Sequence, residues 1–295
     1  MDFSAFKQMI LCKVQLFMGP EYEVVEQQTV KNNDVTLHGI MAKKDGTNAF
    51  PTIYINDVYD ENMTPTEVEY AAMKIAKSLS KAELDEELSM DNLMDFNLAK
   101  VNVTLKIVNA KMNSDLLSKV PHRRFHDLAV LYRYVVCDDE KFGGGYSVLI
   151  DENIQKKWNI SEEQLYSIAY ENTLMVFPPT IENIKNVLEQ MCDCNMGAEE
   201  VPMYVLTCQM QSFGSVGILF NDVLAAFAQK IDNDFYILPS SVHELILVPK
   251  SDDFNPKDMQ STVREINATQ VRAQEVLSDS IYLFDREKGT VEWVR

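Results

Sequence analysis

LAVLYRYVVC, residues 128–137, and YSVLI, residues 146–150, decide how this chain is read. Both runs are rich in β-branched and aromatic residues. The residues between them, Asp138 to Gly145, hold the turn-forming Gly143-Gly144-Gly145, so the pair reads as two strands of a hairpin. Ser161-Glu162-Glu163-Gln164 follows. A serine hydroxyl three residues ahead of a glutamine can satisfy a first-turn N–H and be answered by it, which predicts a helix from Ser161 to about Asn172. Hairpins followed by helices, without strict strand–helix alternation, predict an α+β fold with largely antiparallel sheets.

The same order is expected once more downstream. Met203–Gln209 and Gly217–Phe220 read as a hairpin around Gly214, Asn221 as the cap of a helix through Lys230, and Phe235–Leu238 with Glu244–Val248 as a further strand pair. The recurrence hints at a diverged internal duplication.

Upstream, Phe3, Phe6, Met9, Ile10, Val14 and Phe17 fall at helical spacing and stop at Gly19-Pro20. Val24–Val30 and Val35–Ala42 read as strands joined by Lys31-Asn32-Asn33-Asp34, with Ile53–Ile55 a third. Thr64-Pro65-Thr66-Glu67 is a capping box with proline at the first helical position. It predicts a helix to about Leu88, with Val68, Ala71, Ala72, Ile75 and Leu79 inward. Met90–Asn97 reads as a helix and Val101–Val108 as a strand.

Phe177-Pro178-Pro179-Thr180 is the expected boundary between an N-terminal region, 1–177, and a C-terminal region, 178–295, unless the two pack as one domain. Ile181, Ile184, Val187, Leu188 and Met191 then form one helical stripe. Asn255-Pro256 opens the last long helix, carrying Met259, Val263 and Ile266, before strands at Ile281–Phe284 and Val291–Val294.

Composition narrows the function classes. Of 295 residues 46% are hydrophobic, enough for a sizeable core without staples. The 45 acids against 27 bases leave a net charge of −18, which argues against direct nucleic-acid binding and reads either as a solvated surface or as an acidic face that docks a basic protein partner or mimics nucleic acid. Five cysteines, an odd number, point to reduced thiols and a cytoplasmic location. Asp2 stands where a secretory leader carries positive charge, and no apolar run approaches the ~18–20 residues that cross a bilayer, so no membrane association is expected.

Catalytic motifs fail one by one. The glycine run is followed by a strand, whereas a phosphate loop needs a helix N-terminus. Cys192, Cys194 and Cys208 are three thiols without the fourth ligand of a structural zinc site, and His243-Glu244 is followed by Leu247 where a zinc peptidase places its second histidine. No metal or cofactor is expected. Ser240, Ser241, His243 and Glu244 hold the chemical types of nucleophile, base and orienter, but adjacency in sequence does not supply triad geometry. His122-Arg123-Arg124-Phe125-His126-Asp127 is the basic cluster of the chain: its arginine forks suit a carboxylate or phosphate, or pair with surplus acids on a neighbouring helix.

Asn109-Ala-Lys-Met-Asn113, Val120-Pro-His-Arg-Arg-Phe125 and Asp127–Val130 resemble a bacterial family catalogued as domain of unknown function 5688. So do Tyr236–Glu244, Val263–Val271 and Glu275–Asp279. The resemblance implies a cytoplasmic protein of anaerobic gut-type bacteria, found near mobile genetic elements. It implies no activity and carries over no catalytic residue.

Two expectations follow. The first is a non-catalytic accessory or interaction scaffold with an acidic surface. The alternative is an enzyme or small-ligand sensor whose polar pocket gathers Arg123, Arg124, Asp127, Ser240, Ser241, His243, Glu244 and Asn267, which requires the two family-like segments to meet in space.

Overall fold

The computed structural model describes residues 1–44, 52–81, 91–137, 146–192, 202–208 and 213–294. It is an α+β protein with antiparallel sheets, in two compact units: Met1–Lys31 with Val35–Ser89, and Asn32–Asp34 with Met90–Arg295.

In the first unit, helix α1 (Phe3–Met18) starts where Asp2 accepts the Ala5 N–H at 2.8 Å and ends at Gly19, whose φ of 89° suits a residue without Cβ. Phe6, Ile10, Val14 and Met18, four residues apart, are its buried face. Strands β1 (Glu23–Val30), β2 (Thr36–Lys43) and β3 (Thr52–Tyr54) form the sheet β1-β2-β3, with Glu23 opposite Lys43 and Val30 opposite Thr36. Helix α2 (Pro65–Lys81) opens on the expected capping box: the Thr64 N–H donates to Glu67 Oε2 at 2.8 Å and the Glu67 N–H to Thr64 Oγ1 at 3.3 Å. Val68, Ala72, Ile75 and Leu79 pack with α1 into one core. Fully burying a Val, Ile or Leu side chain contributes about 1.5–3 kcal/mol. The end expected near Leu88 lies outside the described residues.

In the second unit the helix expected over Met90–Asn97 is instead a 3-10 turn, Asp91–Met94, and a short helix, α3 (Phe96–Ala99). Asp95 interrupts them by accepting the Asn97 N–H at 2.9 Å. Strands β4 (Val103–Asn109), β5 (His122–Phe125), β6 (Leu128–Cys137) and β7 (Tyr146–Leu149) form a four-stranded sheet around β6; the short helix α4 (Ser114–Leu117) lies between β4 and β5. The opening hairpin reading is therefore realised as β6 and β7, although its turn, 138–145, lies outside the described residues. The basic cluster is strand β5, paired with β6 from His122↔Leu131 to Phe125↔Leu128.

Helix α5 (Glu152–Trp158), capped by Asp151, is an element beyond those the sequence predicts. Helix α6 (Glu162–Val176) carries the complete Ser161–Gln164 capping box and packs on β4, where Thr173 Oγ1 accepts the Leu105 N–H at 2.8 Å.

Strands β8 (Pro179–Asn183), β9 (Tyr204–Cys208), β10 (Phe235–Pro239), β11 (Leu245–Pro249), β12 (Ile281–Asp285) and β13 (Thr290–Val294) make a six-stranded sheet in the order β13-β12-β10-β11-β9-β8. Helices α7 (Ile184–Cys192), α8 (Asn221–Ile231) and α9 (Pro256–Thr269) complete the unit. The boundary expected at 177/178 differs from the division found. Residues on both sides belong to one core that joins Leu165 and Ala169 of α6 to Leu206 and Phe220, and β8 begins at Pro179 as an edge strand, where proline is tolerated.

Three further expectations are corrected. Ile181 lies in β8, so the stripe 181–191 is a strand followed by a helix. Gly214–Leu219 is a buried 3-10 turn in place of the second strand of a hairpin, so strand–turn–strand–helix does not recur there. Gly214 sits so close to β9 that a Cβ would stand 2.5 Å from Cys208 N, a close approach only glycine permits. Asn221 is the first residue of α8, and Phe220 precedes it without a side-chain cap.

Candidate functional site

Alternation on the six-stranded sheet separates two apolar layers. Phe235 and Ile237 of β10 and Leu245 and Leu247 of β11 face the main core, while Tyr236 and Leu238 face α9. Asn255 caps α9 by accepting the Lys257 N–H at 3.0 Å, and Pro256 stands at the first turn. The helix then sets Met259, Val263, Ile266 and Asn267 on one stripe. Between this stripe and Leu238, Ile246 and Val248 lies an open cavity of about 420 Å³, lined further by Ile184, Met203 and Phe254. Its polar contributors are Ser240, Thr262 and Asn267.

Asn267 is only 7% exposed. Its Nδ2 donates to Ser278 O at 2.9 Å and to Asp279 Oδ1 at 2.8 Å, and its Oδ1 is buried without a partner among the described residues. Ser278 is itself fully buried and donates through Oγ to Asp127 Oδ2 at 2.5 Å, while the Tyr282 hydroxyl donates to Asp127 Oδ1 at 2.6 Å. Burial, followed by the Asp127 charge, pushes the Tyr282 phenol far above its ordinary range. Asp127 and Asn267, two of the expected site residues, are thus joined through Ser278.

The other expected residues go elsewhere. Arg123 forks onto Glu162 at 3.2 and 2.9 Å, reaches Glu163 at 2.7 Å, and lies 3.9 Å over the Tyr166 ring. This is the pairing with helix acids that composition allowed, and the hydrogen bond to Glu162 raises the guanidinium pKa. The Tyr132 hydroxyl donates to the same Glu162. Arg124 is exposed on β5.

The 240–244 turn bonds to itself. Ser240 Oγ donates to Glu244 Oε1 at 3.4 Å, Ser241 N–H to Glu244 O at 3.1 Å, and His243 N–H to Ser241 Oγ at 3.0 Å. His243 Nδ1 accepts the Phe213 N–H at 3.2 Å, and burial lowers the imidazole pKa, favouring the neutral ring.

The two family-like segments meet through Asn109, whose Nδ2 donates to Leu277 O at 3.0 Å, and through Asp127 with Ser278 and Tyr282. The model of a family of unknown function, DUF5688, matches residues 3–286. The chain belongs to that family. Comparison with curated proteins and with solved structures gave no match. The DUF5688 match thus runs through both units and includes every residue of the cavity wall.

Within this DUF5688 chain, no group of three or more His, Cys, Asp or Glu is placed to hold a metal among the described residues. Cys192 is exposed and Cys208 buried, and Cys194 lies outside the described residues. No helix among the described residues is long and apolar enough to cross a membrane. The apolar wall, Leu238, Ile246, Val248 and Met259 above all, escaped motif reading because it carries no reactive group. Its signal was the unbroken run Leu245-Ile246-Leu247-Val248, apolar on both faces of one strand and so covered on both.

Proposed function

We propose that this chain is a cytoplasmic, non-catalytic binding protein of bacteria. It takes an apolar ligand in the cavity between α9 and the six-stranded sheet and offers its acidic surface to a basic protein partner. The observation that carries the reading is the wall of this open cleft: about 420 Å³ lined mainly by apolar side chains, with a few polar groups at Ser240, Thr262 and Asn267. Concave, mostly apolar sites of about 300–1,000 Å³ with few placed polar groups are the usual form of small-molecule pockets.

The bonds that hold Arg123, Asp127 and His243 support structural roles for them and favour binding over an enzyme with a polar pocket at 122–127 and 240–244. The net charge of −18 supports a basic partner.

The test is titration with the neutral solvatochromic dye Nile red. A saturable rise in emission that Ile246→Trp abolishes by filling the cavity is expected. No saturable rise, or one that Ile246→Trp leaves intact, sinks the reading.

A further inference from the structure

Resting on the apolar-ligand reading, we infer that the ligand of the cleft and the basic partner are one: the cleft and its rim take the apolar face of a basic amphipathic helix from another protein.

The apolar surface does not stop at the cleft. Met203 and Ile266, both lining residues, are 40% and 43% exposed and so form its rim. The Ile184 N–H donates to Met203 O at 2.9 Å, which sets the first turn of α7 beside that rim. Leu188, 37% exposed, stands one turn beyond Ile184 on the same helix face, with Val187 next to it. None of the described side chains of α7 is buried, so its apolar stripe is only partly covered.

A small molecule filling about 420 Å³ would leave Leu188 and much of the rim in water. An amphipathic helix covers both. One or two of its apolar side chains enter the cleft, and those three or four residues away lie on the rim, which is the spacing of helix-in-groove recognition. Contiguous exposed apolar surface marks protein-binding sites, whereas single exposed apolar side chains are ordinary.

Charge selects the partner. The chain carries −18, so a second copy of it is repelled and a basic helix is attracted. The stretch 251–269, which supplies Phe254 and the α9 wall, has the same sign: Asp252, Asp253, Asp258 and Glu265 are exposed there against Lys257 and Arg264. No charged side chain is among the lining residues. A helix apolar on one face and basic on the other matches both the uncharged lining and the acidic chain.

The experiment is fluorescence anisotropy of the full chain with a labelled synthetic peptide of about 18 residues, leucine at i, i+3, i+4 and i+7 spacing and lysine elsewhere, at about 0.15 M salt. Its twin has glutamate in place of lysine. Saturable binding of the lysine peptide that displaces Nile red is expected, about tenfold or more tighter than binding of the twin. Ile266→Glu and Leu188→Glu, at exposed positions, should each weaken it about tenfold or more although they make the chain more acidic.

Nile red that binds but is not displaced by the lysine peptide overturns the inference and leaves the apolar cleft in place. Peptide binding that both substitutions leave intact or strengthen also overturns it, since attraction is then by charge alone, and so does equal binding of the twin. Failure of Nile red itself to bind sinks the apolar-ligand reading together with the inference.

Discussion

Ser278 donates its hydroxyl hydrogen to Asp127 Oδ2 across 2.5 Å, joining residues 151 positions apart in the chain. Tyr282 donates to the other oxygen of the same carboxylate, and Asn267 reaches the Ser278 carbonyl, so one side chain from the β5–β6 turn organises the approach to β12 and the end of α9.

Asp127→Asn should therefore destabilise the chain. The amide keeps one acceptor oxygen, and one of two buried hydroxyls loses its partner, at a cost of about 1–3 kcal/mol. The urea midpoint should fall with the slope unchanged. An unchanged midpoint would show that the carboxylate organises nothing.

Tyr132 and Tyr282 both have raised phenol pKa values, with burial the largest cause in each. A pKa higher in the folded than in the unfolded chain gives stability that is fully present below about pH 10 and lost as pH rises above it. The decline in stability above pH 10 should accordingly be shallower in Tyr282→Phe than in the parent. Equal slopes for the two proteins, measured by denaturation from pH 9 upward, would refute this.

Glu26 behaves in the opposite sense. Hydrogen bonds from Lys7 at 2.8 Å and then His38 at 2.6 Å lower its pKa below 4.5. Its contribution is present above that value and is lost as pH falls through the folded pKa. Glu26→Gln should lower the melting temperature at pH 7 and flatten its dependence below pH 4.5; a parallel acid profile in the two proteins would contradict the assignment.

Gly214→Ala should cost about 1–3 kcal/mol, because its Cβ would fall 2.5 Å from Cys208 N and 2.6 Å from Thr207 C, backbone atoms held in the sheet. Chemical denaturation measures it, and an alanine variant as stable as the parent would mean that the 3-10 turn does not need this close approach.

Local signals were legible wherever they sufficed. The capping boxes at Thr64 and Ser161, the Asn255-Pro256 start of α9, the turn-rich linker between β1 and β2 and the β-branched and aromatic run of β6 could each be read from a few adjacent residues, because hydrogen bonds between neighbours and local side-chain shape set them. Gly214–Leu219 misled because an apolar, glycine-containing run suits a strand as well as a turn buried against one. His122–Phe125 was read for its charges, yet its pairing with β6 dictates its conformation.

By itself the sequence determined the class: an acidic α+β chain with antiparallel sheets, its main helix starts, and membership of a family through segments far apart in the chain. Only the tertiary structure decided which polar residues meet. It sent Arg123 to Glu162, Asp127 to Ser278 and Tyr282, and Asn267 to the wall of an apolar cavity. The reason is physical. Capping and turn chemistry are short-range, whereas a cavity is lined from several elements and a buried carboxylate meets partners 151 and 155 positions away, which packing sets and no local spacing encodes.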